Sequence, residues 1–347
     1  MINKSKIYKS SLKKLLPELP EKKDAVVLIT GATGLIGSCI ADAFFLSNAE
    51  NGSSYTVYVM GRSEEKLRRR FAYAGETPLL HCVAQDINDP LTEDISPDYI
   101  IHAASNADPV AYALYPAQTL LTNIYGTKNM LDLAVKTGAR LLLTSTFEVY
   151  GKIEDNDVYS ENMTGVIDLT AIRSCYPESK RSAELLLRCY VQQYGVGAVT
   201  ARLSSIYGPT MLKNDSKAHA QFIRNGLAGE NIVLKSEGKP RRTYTYVVDA
   251  AAGILRILKD GVSGEVYNVS NENSIASIAE VAQTVAEICG TRVVFDLPDD
   301  LEARGFSKPQ NCILDNGKLR SLGFCGRYPL ERGLRETIEI LREETQN

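Results

Sequence analysis

The chain has 347 residues, 44% hydrophobic and 23% charged, with a formal net charge of -3. These are ordinary values for a globular enzyme with a substantial core, built as one large domain or two tightly joined ones. They exclude a global basic field for nucleic acid or an anionic membrane, so local groups must hold any anionic ligand.

Residues Met1 to Lys23 are basic and mildly amphipathic around Ile7, Tyr8, Leu12, Leu15 and Leu16, with Pro17 and Pro20 interrupting them. This reads as a short helical arm packing on the body or on a second subunit, not as a signal peptide. No run approaches the length of a membrane span. The seven cysteines form no Cys-x-x-Cys pair, and the three histidines show no paired spacing. Reduced thiols, a cytoplasmic location and no metal site are the expectations.

From there to about residue 204, apolar segments of strand length alternate with amphipathic stretches. The predicted strands are Ala25–Thr30, Tyr55–Met60, Leu79–Ala84, Tyr99–Ala104, Arg140–Ser145 and Ala198–Leu203. The predicted helices lie near Leu35–Ser47, Glu64–Tyr73, Leu120–Thr137 and Glu178–Tyr194. Continuously apolar strands each followed by a helix indicate a parallel sheet covered on both faces. The expected fold is α/β, a Rossmann-type doubly wound parallel sheet over residues 24–204 with returning segments near 244–270. After Ser204 turn signals cluster at Gly208-Pro209, Asn214-Asp215 and Gly238-Lys239-Pro240. Residues 205–347 therefore read mainly as a smaller C-terminal α/β substrate-binding cap, with the binding cleft between cap and sheet.

Thr30-Gly31-Ala32-Thr33-Gly34-Leu35-Ile36-Gly37 joins the first strand to the first helix. Glycines there permit a tight turn and let backbone N–H groups approach a pyrophosphate, while the helix N-terminus favours negative charge. Gly31, Thr33, Gly34, Leu35, Ile36 and Gly37 are the dinucleotide-binding candidates. The tip of the second strand, Gly61-Arg62-Ser63, has no aspartate for a ribose diol. Arg62 can instead pair with a 2′-phosphate and Ser63 can add a hydrogen bond, favouring NADP(H) and leaving NAD(H) as the alternative. Asp86 and Ile87, after the third strand, are candidates for the adenine.

Tyr176-Pro177-Glu178-Ser179-Lys180 puts a phenol and an ammonium four residues apart, on one helix face. A free phenol is a poor base at neutral pH, and a neighbouring positive charge favours its ionised form. About thirty residues upstream the fifth strand ends in Thr144-Ser145-Thr146-Phe147-Glu148-Val149-Tyr150-Gly151. A hydroxyl at that strand end faces the same crevice. Thr146 is the candidate to share the reacting oxygen with Tyr176.

With these motifs in this order the chain resembles the extended short-chain dehydrogenases, specifically the NAD-dependent epimerase/dehydratase family of nucleotide-sugar enzymes. The resemblance runs from about Ala25 to Gly323. It also rests on His102-Ala103-Ala104, Asn123-Ile124-Tyr125-Gly126-Thr127, Arg202 to Pro209, Gly238 to Asp249 and Gly264 to Asn268. It implies Thr146, Tyr176 and Lys180 as a catalytic group, with Lys180 also holding the nicotinamide ribose. Ala103, Ala104, Ser105 and Asn123 join the cofactor candidates, and Arg202, Ser205, Tyr207 and Arg242 the substrate candidates. Arg242 would grip a diphosphate and Tyr207 would line the cap entrance.

The reaction is less constrained. Phe147 stands where sugar-nucleotide 4,6-dehydratases carry the aspartate of an Asp-Glu pair, and a phenyl ring cannot protonate a leaving hydroxyl. Glu148 can still abstract a proton beside a ketone, an arrangement that resembles uridine-diphosphoglucuronate decarboxylases, or it can bond backbone at the strand end. Arg62 and Phe147 lean toward NADPH-dependent reduction of a nucleotide-linked keto sugar or ketose. The alternatives are a hidden-redox epimerase, decarboxylase or 4,6-dehydratase and, more remotely, a non-catalytic sensor. The resemblance also implies a homodimer through helices Leu120–Thr137 and Glu178–Tyr194.

Overall fold

The computed structural model describes residues 5–297 and 310–345; the first four residues of the arm and residues 298–309 and 346–347 of the cap lie outside them. The arm forms α1 (Lys6–Lys13), whose first turn is capped by the Ser5 hydroxyl accepting from the Tyr8 N–H at 3.1 Å. Its apolar side, Tyr8 and Leu12, is fully buried and continues through Leu15. Tyr8 Oη donates to Asp42 Oδ2 at 2.7 Å. That fully buried carboxylate also accepts from Arg70 Nη2 and Tyr73 Oη, each at 2.5 Å. A buried charge needs such partners, and here they tie the arm to the body.

The chain continues through β1 (Val26–Thr30), α2 (Leu35–Glu50), β2 (Thr56–Gly61), α3 (Glu64–Phe71), β3 (Leu80–Ala84) and β4 (Tyr99–His102). Then come α4 (Pro109–Leu114), α5 (Pro116–Thr137), β5 (Arg140–Thr146), β6 (Val158–Tyr159), α6 (Cys175–Tyr194) and β7 (Ala198–Leu203). Beyond them lie β8 (Ser205–Tyr207), α7 (Ala218–Leu227), β9 (Ile232–Leu234), β10 (Arg241–Tyr246), α8 (Val247–Asp260) and β11 (Val266–Val269). The last elements are β12 (Ile275–Ser277), α9 (Ile278–Cys289), β13 (Val293–Phe295), β14 (Ile313–Leu314), α10 (Gly317–Ser321) and α11 (Leu330–Thr345).

Among the described residues the main sheet has seven parallel strands in the order β3-β2-β1-β4-β5-β7-β11. This is the doubly wound order, with its topological switch between β1 and β4, so the expected fold class is the one found. The strands read as unbroken apolar runs because both faces are covered: Leu141, Leu142 and Leu143 are all fully buried. Each such side chain contributes about 1.5–3 kcal/mol by leaving water. α5 starts at Pro116, four residues before the expected Leu120, because proline is suited to a helical first turn. It stops at Gly138, which takes the left-handed conformation at φ 74°.

β11 returns to the main sheet beside β7, while β8, β10 and β12 form a small separate sheet. β10 begins there, and α8 directly follows it and packs back on β5 and β7. The carboxyl ends of β1, β4 and β5 thus open toward the chain that follows β7. Among the described residues no helix is long and apolar enough to cross a membrane.

Candidate active site

The glycine-rich turn is shaped by contacts that only glycine allows. Gly31 has φ +64°, and a Cβ there would lie 2.7 Å from the Ala103 carbonyl oxygen. A Cβ on Gly37 would lie 2.6 Å from the Gly31 carbonyl oxygen, so α2 can pack this closely on the turn only without one. Between them Gly34 is the N-cap of α2 and carries no capping side chain. The first-turn N–H groups at Leu35 and Ile36, next to Thr33, therefore keep their donors for an anion. This uncapped helix start behind a cradle closed to side chains fits a dinucleotide pyrophosphate.

Behind the cradle Thr30 Oγ1 contacts His102 Nδ1 at 2.8 Å and accepts from the Ala104 N–H at 3.1 Å. That pair locks the tips of β1 and β4 and sets Ala103 and Ala104 beside the turn. His102 is buried, its Nε2 has no partner among the described residues, and burial, with Lys180 nearby, pushes its pKa down to about 3. Ser105 Oγ donates to Asn123 Oδ1 at 2.8 Å, and Asn123 Nδ2 donates to Ser179 Oγ at 2.9 Å. Ser179 Oγ donates in turn to the Tyr176 carbonyl at 2.8 Å. The loop after β4 is thereby fastened to the start of α6.

At the other end of the crevice the Gln85 N–H donates to the Gly61 carbonyl at 3.1 Å, which brings Asp86 and Ile87 beside the β2 tip. Asp86 Oδ1 accepts from the Asn88 N–H at 2.9 Å. Ile87 is buried against Gly126, where a Cβ would sit 3.0 Å from Ile87 Cγ1. Ser63 caps α3, its Oγ accepting from the Lys66 N–H at 3.3 Å. Arg62 is exposed, and its guanidinium meets no hydrogen-bond or ionic partner among the described residues.

Thr146, Tyr176 and Lys180 converge where β5 ends and α6 begins. Tyr176 is 6% exposed, and the Thr146 and Tyr112 hydroxyls beside it favour its ionised form. Burial and then the Glu148 charge push the phenol above its ordinary range; the Thr146 and Tyr112 hydroxyls and Arg173 oppose them. Lys180 Nζ donates to the Thr144 carbonyl at 3.0 Å, and burial pulls its pKa down to about 8.

Residues of four further elements complete the site. The Glu148 carboxylate, 19% exposed, meets Arg173 Nη1 at 2.9 Å. Tyr112, on α4, stacks on Tyr176, and the Arg173 guanidinium lies 6.0 Å from the Tyr112 ring centroid. Arg242, on β10, lies over the Phe147 ring at 5.5 Å. Phe147, which cannot act as an acid, thus serves as an aromatic platform for a guanidinium. Tyr112, Arg173 and Ser179 were not among the sequence candidates. Their signals were weak: Tyr112 follows the carboxyl end of β4, and Arg173 stands three residues before Tyr176.

Arg202 and Tyr207 are engaged elsewhere. Arg202 forks onto Glu184 of α6, Nη2 to Oε2 at 2.7 Å and Nε to Oε1 at 3.1 Å, and its guanidinium lies 4.7 Å over the Tyr150 ring. The β7 face that carries it is covered by α6, and a buried guanidinium takes the carboxylate within reach. Tyr207, expected at the cap entrance, is 1% exposed, donates to the Leu330 carbonyl at 3.3 Å and packs on Tyr246. Ser205 is half-buried on β8, paired with Tyr244.

The sheet order, the glycine cradle and the Thr146–Tyr176–Lys180 group define an extended short-chain dehydrogenase. The chain belongs to the NAD dependent epimerase/dehydratase family, whose profile matches residues 27–270, and it is an enzyme of that family. It is similar to UDP-glucuronic acid decarboxylase 6 of Arabidopsis thaliana, 34% identical over 284 residues that span 80% of this chain and 79% of that protein. It is also similar to UDP-glucuronic acid decarboxylase 1 of Xenopus tropicalis, 33% identical over 335 residues, 95% of this chain and 75% of that one.

Among solved structures, a UDP-glucose 4-epimerase of Thermotoga maritima with UDP-glucose aligns with a TM-score of 0.75 and 25% identity, covering 93% of this chain and 100% of that one. A dTDP-glucose 4,6-dehydratase of Streptomyces venezuelae with NAD bound aligns with a TM-score of 0.78 and 25% identity, covering 92% and 98%. The NADP(H) preference expected from Arg62 finds no support in these relatives.

Proposed function

We propose that the enzyme runs hidden-redox chemistry on a UDP-linked hexuronic acid, oxidising C4, releasing the C6 carboxylate as CO2 and returning the hydride. The observation that carries this reading is Glu148 beside the Tyr176 phenol with Phe147 next to it. One carboxylate suffices for proton traffic at C5, whereas eliminating water needs a second acid. The decarboxylases named above support the choice of substrate.

Tyr176 takes the proton from the C4 hydroxyl, with Thr146 sharing that oxygen and the Lys180 ammonium stabilising the phenolate. The nicotinamide, when bound, supplies the acceptor for the C4 hydride and later gives it back. A C4 ketone lies β to the carboxylate, so the C5–C6 bond breaks and CO2 leaves. The bonding pair moves onto the C4 oxygen as an enolate held by Tyr176 and Thr146. A proton delivered on the Glu148 side closes C5, and Tyr176 returns its proton as C4 is reduced. The net change is UDP-hexuronate plus one proton giving UDP-pentose plus CO2. Arg242, oriented by Phe147, grips the diphosphate.

In this reading the cofactor is retained NAD. Residues 24–204 with the returning 244–270 bind it, residues 205–347 cover the sugar, and residues 1–23 brace the fold in a cytoplasmic homodimer. Exposed Leu121 and Tyr125 on α5 and Leu185 on α6 support pairing through those helices. Net reduction with NADPH is the second reading, favoured by the unengaged Arg62 guanidinium.

The test is incubation with UDP-glucuronic acid and NAD, followed by mass spectrometry of the nucleotide and by nicotinamide absorbance. A UDP-pentose formed with no net NADH is the expected result. Intact UDP-glucuronic acid, together with continuing NADPH consumption on a keto sugar, overturns the reading in favour of reduction.

A further inference from the structure

Three cations lie on the elements of this site, and they differ in what they can reach. Lys180 is 3% exposed and spends a proton on the Thr144 carbonyl beneath the phenol. Arg242 is drawn over Phe147 on the β10 side. Arg173 belongs to the single 3₁₀ turn Ile172–Ser174 that leads into α6. Its side chain is 63% exposed, yet Nη1 reaches Glu148 Oε2 at 2.9 Å. Its guanidinium also faces Tyr112, the ring that covers Tyr176. The turn that carries it is fixed: the Ser174 N–H donates to the Ala171 carbonyl at 2.9 Å and Ser174 Oγ to the Asp168 carbonyl at 2.5 Å. Arg173 is thus a solvent-reachable cation held between Glu148 and the Tyr112 ring that covers the phenol.

We infer that Arg173 is the specificity residue that admits a C6 carboxylate on the sugar, holding it on one edge of the guanidinium while the other edge keeps Glu148. This deepens the uronate reading above and rests on it. When Tyr176 engages the C4 oxygen, the substituent on the neighbouring C5 projects into the space beside it, where Glu148 already carries a negative charge. A second carboxylate there is repelled unless a cation lies between the two. A guanidinium has five donors in a planar fork and can serve two carboxylates at once, which an ammonium on a flexible stem does less well. A neutral hydroxymethyl group at C6 gains nothing from Arg173, so the residue separates uronates from hexoses. By pinning Glu148, it also aims that carboxylate at C5.

The experiment is calorimetric binding of UDP-glucuronic acid and of UDP-glucose to the NAD-loaded protein. Charge-assisted pairs of this kind are worth about ten- to hundredfold in affinity, so Arg173→Gln should weaken UDP-glucuronic acid by that factor and leave UDP-glucose within about twofold. Arg173→Lys should recover only part of the loss. Glu148→Gln, which removes the competing charge, should tighten UDP-glucuronic acid alone. Arg242→Gln should weaken both nucleotides alike, because both carry the diphosphate. UDP-glucose binding also reports that each variant is folded. The inference is overturned if Arg173→Gln weakens both nucleotides equally or neither, or if the wild-type protein fails to bind UDP-glucuronic acid. A wild-type preference that depends on Arg173 but yields no CO2 keeps the inference and sinks decarboxylation. Full CO2 release with unchanged affinity in Arg173→Gln does the reverse.

Discussion

The ring of Tyr112 lies flat on the ring of Tyr176, centroids 4.6 Å apart and planes 15° from parallel, and the Tyr112 hydroxyl favours the ionised form of the Tyr176 phenol. The phenol proposed as acid and base is thus stacked on a second phenol from a separate helix. Tyr112→Phe keeps the stack and removes the hydroxyl. That hydroxyl opposes the upward push of burial and Glu148 on Tyr176, so without it the acidic limb of kcat/KM should move to higher pH. A lost polar interaction of about 1 kcal/mol corresponds to roughly a fivefold fall in rate at neutral pH. Tyr112→Leu removes the stack as well and should cost about 0.5–1.5 kcal/mol more. An unmoved limb in Tyr112→Phe would leave the contact as packing only.

Gly31 offers a test of the cradle. Its positive φ, and an Ala103 carbonyl 2.7 Å from where a Cβ would go, leave no room for relief because the obstacle is backbone. Gly31→Ala should cost about 1–3 kcal/mol of stability and abolish the rise in melting temperature on adding NAD. Gly61→Ala is the contrast for stability, since the nearest neighbour of a Cβ there is the flexible Leu67 side chain, Cδ2 at an ordinary 3.5 Å. Its melting temperature in the absence of cofactor should hardly change, and equal damage from both substitutions would contradict this account.

Arg202 and Arg242 should fail in different ways. Arg202→Ala leaves the Glu184 carboxylate, 8% exposed, without its cation, a loss of about 3–5 kcal/mol for a buried pair broken on one side. Its signature is a lower denaturation midpoint with KM preserved in the protein that stays folded. Arg242→Ala should keep the midpoint and raise KM. A raised KM and normal stability in Arg202→Ala would place that residue in substrate binding after all.

His102 carries a pH dependence whose sign is fixed by burial. Its folded pKa of about 3 lies below the ordinary 6.5, so between those values the unfolded chain binds the extra proton. Stability is therefore full above about pH 6.5 and is lost as pH falls toward 3, with a ceiling of roughly 5 kcal/mol. Urea midpoints measured across that window should fall more steeply for the wild type than for His102→Gln. Parallel slopes would mean the ring is protonated without cost.

The sequence alone determined the parts whose geometry is closed within a few residues. The Thr30–Gly37 stretch is a strand end, a turn and a helix start in eight positions; Tyr176 and Lys180 are one helical turn apart; the apolar runs from Val26 to Leu203 could only be strands covered on both faces. Each is a local constraint, and together they yielded the doubly wound fold and the family. Local reasoning also set α5 starting at Leu120 where Pro116 begins it, a boundary that depended on one proline's fixed φ.

What sealed or opened each remaining side chain was decided by elements far along the chain. Arg202 and Tyr207 lie on strands, where alternation leaves the choice of face to whatever packs there; Glu184 of α6 claimed the first, and Leu330 at the start of α11 the second. Phe147 read as a missing acid until β10 brought Arg242 over its ring. Tyr112 and Arg173 joined the site only because α4 and the turn before α6 meet above the end of β5. A guanidinium or a phenol is chemically the same on any surface, and only the tertiary fold decides which charge, ring or solvent it faces.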